Sequence, residues 1–128
     1  MAGALPRPTD AELEILTVLW STGPTTVREV YNVISRRRPA QYSTVLKFMQ
    51  IMAEKGLVRR DEQQRAHIYR AARPREWTQR QLAGDLLERA FSGSAKALLI
   101  GALSARKATK EELEELHRLL DEYPKEEK

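Results

Sequence analysis

The chain has no cysteine, which excludes disulfides, thiolate zinc sites and iron–sulfur clusters and fits a reducing compartment. Histidine is scarce too. His67 and His117 stand alone, without a carboxylate cluster at ligand spacing, so no transition-metal motif is present. His67 is expected to pack within a strand and His117 to lie on a helix surface. No apolar run approaches the roughly 18 residues of a membrane span. The opening Met1-Ala2-Gly3-Ala4-Leu5-Pro6-Arg7-Pro8 lacks the apolar stretch of a secretion signal, so a soluble, cytoplasmic protein without membrane insertion is expected. The sequence holds no glycine-rich phosphate loop, nucleophile elbow or zinc-protease helix motif. Glu111-Glu112 and Glu114-Glu115 look like paired acids, but a helix start favours negative charge through its dipole. No catalytic site and no cofactor is expected.

What is present is a chain of 128 residues, 41% hydrophobic and 31% charged, enough for one ordinary domain or a small domain with an attached oligomerisation segment. Its net charge of +4 is unevenly spread: residues 1–75 carry 13 basic and 7 acidic side chains, residues 76–128 carry 9 and 11. A polyanion would be met by the front half.

Pro6 and Pro8 keep the start extended up to Thr9, which forms a capping box with Glu12 and opens a helix marked by Leu13, Leu16, Leu19 and Trp20. Gly23-Pro24 stops it. A second box, Thr26 with Glu29, begins a shorter helix with Val27, Val30, Tyr31 and Ile34 on one face, ending near Arg36-Arg37-Arg38-Pro39. A third helical pattern runs from about Tyr42 to Lys55, closed by Gly56. The period then changes. Leu57-Val58-Arg59-Arg60 and Ala66-His67-Ile68-Tyr69-Arg70, around the polar tip Asp61-Glu62-Gln63-Gln64-Arg65, predict an antiparallel hairpin. Three helices and a hairpin in this order make a winged helix-turn-helix. After Arg73-Pro74 the chain is helical again: Trp77, Leu82, Leu86, Leu87, Ala90 and Phe91 mark one helix, ended at Ser92-Gly93. Ser94 caps a second, with Leu98, Leu99, Ala102 and Leu103, and Thr109 with Glu112 boxes a third, with Leu113, Leu116, Leu119, Leu120 and Tyr123. Three amphipathic helices of this length cannot bury so much leucine against one another, and a second copy of the chain supplies the missing surface.

On the third helix, Val45, Met49 and Met52 fall within about 40 degrees of arc and define a core face flanked by Phe48 and Ala53. The opposite side collects Ser43, Lys47, Gln50 and Glu54, with Thr44 and Ile51 at its margin. Small hydroxyls, an amide and one lysine suit a helix that enters a major groove. Any surface helix is polar outside, so the face alone is also read as merely solvated. The capped helix before it and the arginine-bearing hairpin after it favour the groove. Arg59, Arg60, Arg65 and Arg70 on the hairpin could meet the backbone or minor groove, or protect an edge strand. Arg36-Arg37-Arg38 suits a helix C-terminus whether or not DNA is near.

These residues together resemble the penicillinase and methicillin-resistance repressor family of bacterial winged-helix regulators. The resemblance runs through Thr9-Asp10-Ala11-Glu12, Leu19-Trp20, Tyr42-Ser43-Thr44-Val45, Glu54-Lys55-Gly56-Leu57-Val58, Phe91-Ser92-Gly93-Ser94, Lys96-Ala97-Leu98 and Glu111-Glu112-Leu113-Glu114-Glu115-Leu116, from about Leu5 to Tyr123. It implies homodimers that bind inverted-repeat operator DNA through the third helix and wing, pair through C-terminal helices and block transcription. It also implies a partner, a membrane sensor protease that answers β-lactams and leads to a cut in the C-terminal segment. The chain departs from the family at Lys47 and Ile51, where a second Thr and an Arg are frequent. Gly101-Ala102 stands where staphylococcal members carry a cleavable Asn-Phe bond, and without cysteine the copper-responsive relatives' motif cannot operate.

The expected architecture is mainly α with a small β-wing: a winged-helix DNA-binding domain at 7–73 and a helical dimerisation domain at 74–124. Ser43, Thr44, Lys47, Gln50, Arg59, Arg60 and Arg65 are the expected DNA-binding residues. Leu86, Phe91, Leu98, Leu99, Leu103, Leu113, Leu116 and Leu120 are the expected dimer contacts. The competing expectation is a winged-helix adaptor whose polar third-helix face docks another protein.

Overall fold

The computed structural model describes residues 7–63 and 65–126; the expectations that fell on Pro6 and Gln64 lie outside the described residues. The element order is α1 (Asp10–Thr22), α2 (Val27–Arg37), α3 (Tyr42–Lys55), β1 (Val58–Asp61), β2 (Ile68–Ala71), α4 (Arg75–Ala90), α5 (Ala95–Ala105) and α6 (Lys110–Glu122). This is the mainly helical, small-winged architecture expected. By contacts the chain divides into two compact units between Ala83 and Gly84, inside α4.

Local chemistry sets the helix boundaries of the first unit. At α1 the box is complete: the Thr9 hydroxyl accepts from the Glu12 amide at 3.2 Å and the Glu12 carboxylate accepts from the Thr9 amide at 2.9 Å. At α2 only the first half forms, Thr26 Oγ1 accepting from the Glu29 amide at 3.2 Å, while the Glu29 side chain accepts from Asn32 instead. Gly56 ends α3 at φ 83°, ψ 13°, the left-handed conformation in which a Cβ would be strained.

Ile15, Leu16, Val18 and Leu19 of α1, Val27, Val30 and Ile34 of α2, Val45, Met49 and Met52 of α3, Val58 and Tyr69 form one buried core. The hairpin closes it from the side. β1 and β2 pair antiparallel with Val58 opposite Ala71, Arg59 opposite Arg70, Arg60 opposite Tyr69 and Asp61 opposite Ile68. Relative to the sequence reading, Leu57, Ala66 and His67 fall outside the strands and Asp61 and Ala71 join. The Asp61–Ile68 pair is the last rung, so His67 lies beyond it and is exposed, which corrects the expectation that it packs within a strand. A bridge between segments distant in sequence pins the hairpin to the α1–α2 connection. The Tyr69 amide donates to the Thr25 carbonyl at 2.7 Å, and the Thr25 amide returns a bond to Tyr69 at 3.0 Å.

The beginning of α4 braces this unit. Thr78 is buried, Trp20 Nε1 donates to the Arg73 carbonyl at 3.0 Å, and the Arg75 guanidinium lies over the Trp20 ring. In the second unit, Ser94 Oγ caps α5 at the Ala97 amide and Thr109 Oγ1 caps α6 at the Glu112 amide. Neither α5 nor α6 contains a buried residue.

Candidate nucleic-acid interface

The geometry of α3 follows from its sequence period. Val45, Met49 and Met52 are turned into the core at 3% exposure or less, which forces the residues half a turn away outward. Ser43, Thr44, Lys47, Gln50 and Glu54 are exposed and Ile51 is half-buried, as the wheel of this helix predicted. The N-cap, Gln41, makes no side-chain bond to the helix, so no side-chain acceptor meets the first amides of α3.

The far end of α3 is fixed by an ion pair. Lys55 Nζ reaches the Glu12 carboxylate at 2.8 and 3.1 Å, joining the end of α3 to the first turn of α1 across 43 residues of sequence. Glu12 is only 2% exposed. Burial alone would push its carboxyl up. The Lys55 ammonium and the bonds to Thr9 outweigh that and hold it below the ordinary glutamate range. Sequence reasoning saw Glu12 only as a cap. A second tie, Arg38 Nη2 to Glu14 Oε1 at 2.6 Å, links the end of α2 to α1. Arg38 therefore does more than complement the helix dipole.

The wing sorts its arginines by face. Successive strand residues alternate sides, so Val58 and Arg60 share the core-facing side with Tyr69 and Ala71, while Arg59 and Arg70 lie on the outer side. Arg60 is engaged within the protein: its Nη2 pairs with Glu62 at 2.6 Å and its Nη1 lies 3.5 Å from the Tyr69 hydroxyl. Those bonds, to Tyr69 first and Glu62 second, raise its pKa. Arg59 and Arg70, by contrast, are exposed and directly opposite each other. Among the described residues neither has an acidic partner. Like charges facing each other across a ladder destabilise it slightly, and an anion laid over both removes the repulsion. Arg65 is exposed in the turn between the strands. Arg70, seen in the sequence only as one more basic strand residue, thus has a geometry that Arg60 lacks. The signal was available in principle, as the partner of Arg59 in the right register.

Arg28 was not singled out by sequence. It is exposed on the first turn of α2, with its guanidinium 4.2 Å from the centroid of the Tyr42 ring and 5.8 Å from that of Tyr31.

In the second unit, Leu86, Leu103, Leu113 and Leu120 are 37–57% exposed, and Phe91, Leu98, Leu99 and Leu116 are half-buried. Ile100, Leu119 and Tyr123 add to the exposed apolar surface. On α6, Leu113, Leu116, Leu120 and Tyr123 advance by alternating steps of three and four, the spacing of a helix-pairing seam. α5 is apolar around most of its circumference, a composition suited to burial. Gly101 lies within α5, where an added Cβ would come 3.3 Å from the Phe91 ring. Among the described residues no group of His, Asp and Glu is placed to hold a metal, and no helix is long and apolar enough to cross a membrane.

The chain is 39% identical over 98 residues to the transcriptional regulator BlaI of Mycobacterium tuberculosis, covering 75% of this chain and 71% of that protein. It is 22% identical over 119 residues to the penicillinase repressor of Bacillus licheniformis, covering 93% of each. The penicillinase repressor family model matches residues 8–122, and so the chain belongs to that family, whose members are transcriptional repressors and not enzymes.

Proposed function

We propose that this protein represses transcription by binding inverted-repeat operator DNA as a homodimer. Residues 7–73 form the DNA-binding domain and residues 74–124 the dimerisation domain, with the beginning of α4 bracing the first. The reading is carried by one observation: α3 turns Ser43, Thr44, Lys47 and Gln50 outward while Val45, Met49 and Met52 are buried in the core, in the same unit as a wing whose Arg59 and Arg70 face outward with no acidic partner among the described residues. Ser43, Thr44, Lys47 and Gln50 enter or overhang the major groove, and Arg59, Arg65 and Arg70 meet the phosphate backbone or minor groove. Arg60 supports the wing through Glu62 and Tyr69 and approaches DNA only by leaving them. Leu86, Leu103, Leu113 and Leu120 are exposed and Phe91, Leu98, Leu99 and Leu116 half-buried, which supports these eight as dimer contacts that a second copy of the chain covers. The regulated genes belong to a β-lactam response or related stress regulon in the cytoplasm, with a membrane sensor protease or its downstream factor as the releasing partner. Gly101-Ala102 stands where staphylococcal members carry Asn-Phe, so release does not depend on an Asn-Phe cut at that bond.

The test is a fluorescence-anisotropy titration of the full chain against duplex DNA from upstream of its own coding sequence and against a shuffled duplex, at several salt concentrations. A complex that prefers the first duplex and weakens with salt is expected, with Lys47→Ala costing about 1–3 kcal/mol if Lys47 meets a base. Binding to neither duplex would favour the adaptor reading, in which the polar face of α3 docks a protein.

A further inference from the structure

Arg28 occupies a position that α2 itself does not favour. It is the second residue of the helix after the Thr26 cap, where the positive end of the dipole disfavours a cation. Its sequence neighbour Glu29 does not neutralise it, since that carboxylate accepts from Asn32 Nδ2 at 3.4 Å. Among the described residues, Arg28 has no ion pair or hydrogen bond. It is held instead by aromatic faces. Tyr31 and Tyr42 meet edge to face, their centroids 5.8 Å apart at 77°, and the guanidinium lies 4.2 Å above the Tyr42 ring. A contact with ring faces takes up no hydrogen-bond acceptor, so the guanidinium N–H groups remain available to donate.

Tyr42 is also the first residue of α3, adjacent to Ser43 and Thr44, and the amides that open this helix have no side-chain cap. We propose that Arg28 is a phosphate-binding residue at the entry of α3, positioned by the Tyr42 ring, and that it grips a phosphodiester as α3 enters the groove. This rests on the DNA-binding reading above. A fork of parallel N–H donors matches two phosphate oxygens, a geometry that a lysine ammonium does not reproduce. A phosphate contact carries no base information, so its contribution is the same for any sequence.

The experiment compares the full wild-type chain with Arg28→Ala, Arg28→Lys and Tyr42→Leu in salt titrations against the upstream duplex and its shuffled counterpart. Arg28→Ala is expected to weaken both complexes by a similar factor and to reduce the slope of log affinity against log salt by about two, roughly one for each protomer of the bound dimer. Arg28→Lys keeps that slope with reduced affinity. Tyr42→Leu keeps the slope and weakens both complexes by roughly two- to fivefold, the worth of the lost stacking. An unchanged slope and affinity in Arg28→Ala overturns the inference, and so does a loss confined to the upstream duplex, which would make Arg28 a base reader. Wild-type behaviour of Tyr42→Leu overturns the positioning by the ring. Failure of the wild-type chain to bind either duplex overturns the DNA-binding reading itself, and this inference with it. Melting curves of each variant, expected to show a cooperatively folded chain with at most a small loss of stability in Tyr42→Leu, separate these outcomes from loss of fold.

Discussion

The two units contain similar apolar material at helical spacing and dispose of it in opposite ways. In the first, Ile15, Val30, Met49 and Met52 are at most 1% exposed; in the second, Ile100, Leu120 and Tyr123 are 55–64% exposed. Among the described residues, every large exposed hydrophobic side chain lies between Leu86 and Tyr123, and every member of the core lies between Ile15 and Tyr69. The difference is one of geometry rather than composition. α1, α2 and α3 surround a common centre and the hairpin seals the remaining side, so a shell closes around Met49. The second unit has only the end of α4 with α5 and α6 to enclose its leucines. A helix row with one apolar neighbour at most stays half in water. The first unit is therefore complete as a monomer, and the second has a surface that a second copy would complete.

Four changes break or sharpen this contrast. The largest effect is expected from Met49→Ala, which opens a cavity in the closed core and should cost about 2–5 kcal/mol in urea unfolding. Leu120→Arg should instead spare the first unit's stability and produce monomers in sedimentation. Because each monomer then binds with one reading head, affinity for an inverted repeat should fall on the order of a hundredfold or more. A Leu113→Arg, Leu120→Arg double variant that remains dimeric would place the pairing surface elsewhere.

Glu12→Gln removes the charge that Lys55 meets and should cost roughly 1–3 kcal/mol, discounted from a fully buried pair because Lys55 is one-third exposed. The same group sets a pH dependence. Its folded pKa is depressed, so the unfolded chain, titrating in the ordinary glutamate range, takes up the proton first as the solution is acidified. Its stabilisation is present above that range and is lost as pH falls through the lower folded value. Wild type should lose stability over this acid range more steeply than Glu12→Gln. The smallest effect is expected from Arg70→Thr. Relief of the repulsion with Arg59 should raise folding stability by a few tenths of a kcal/mol, about 0.2–1 at most. The salt slope of DNA binding by the dimer should fall by about two, roughly one for each Arg70 removed. A stability loss instead would mean that the pair is already neutralised in the free protein.

Much of this was legible in one dimension. Thr9 with Glu12, Thr26, Ser94 and Thr109 marked helix starts because a cap is a contact over three residues, and Gly56 marked an end because its conformation is local. The α3 face was legible because a helix repeats at a fixed angle, so placing Val45, Met49 and Met52 inside places Ser43, Lys47 and Gln50 outside. The wing was harder. Arg59 and Arg60 are neighbours of equal charge, and only the register, Arg59 with Arg70 and Arg60 with Tyr69, decides which one is exposed and which is tied to Glu62. Register is a pairing between segments, and basic residues on both strands do not specify it. Arg28 escaped notice for a related reason, since Tyr42 is 14 residues away and meets it only when α2 and α3 pack.

The sequence by itself, through local spacing, capping chemistry and charge distribution, determined the helices, their buried and polar faces and a basic first half. The tertiary structure alone decided that Lys55 reaches Glu12, that Arg28 rests on Tyr42, that Arg70 joins Arg59 and that the second unit keeps its leucines in water. Each of those outcomes depends on which distant segments meet, and that is settled by the closing of the core rather than by any local preference.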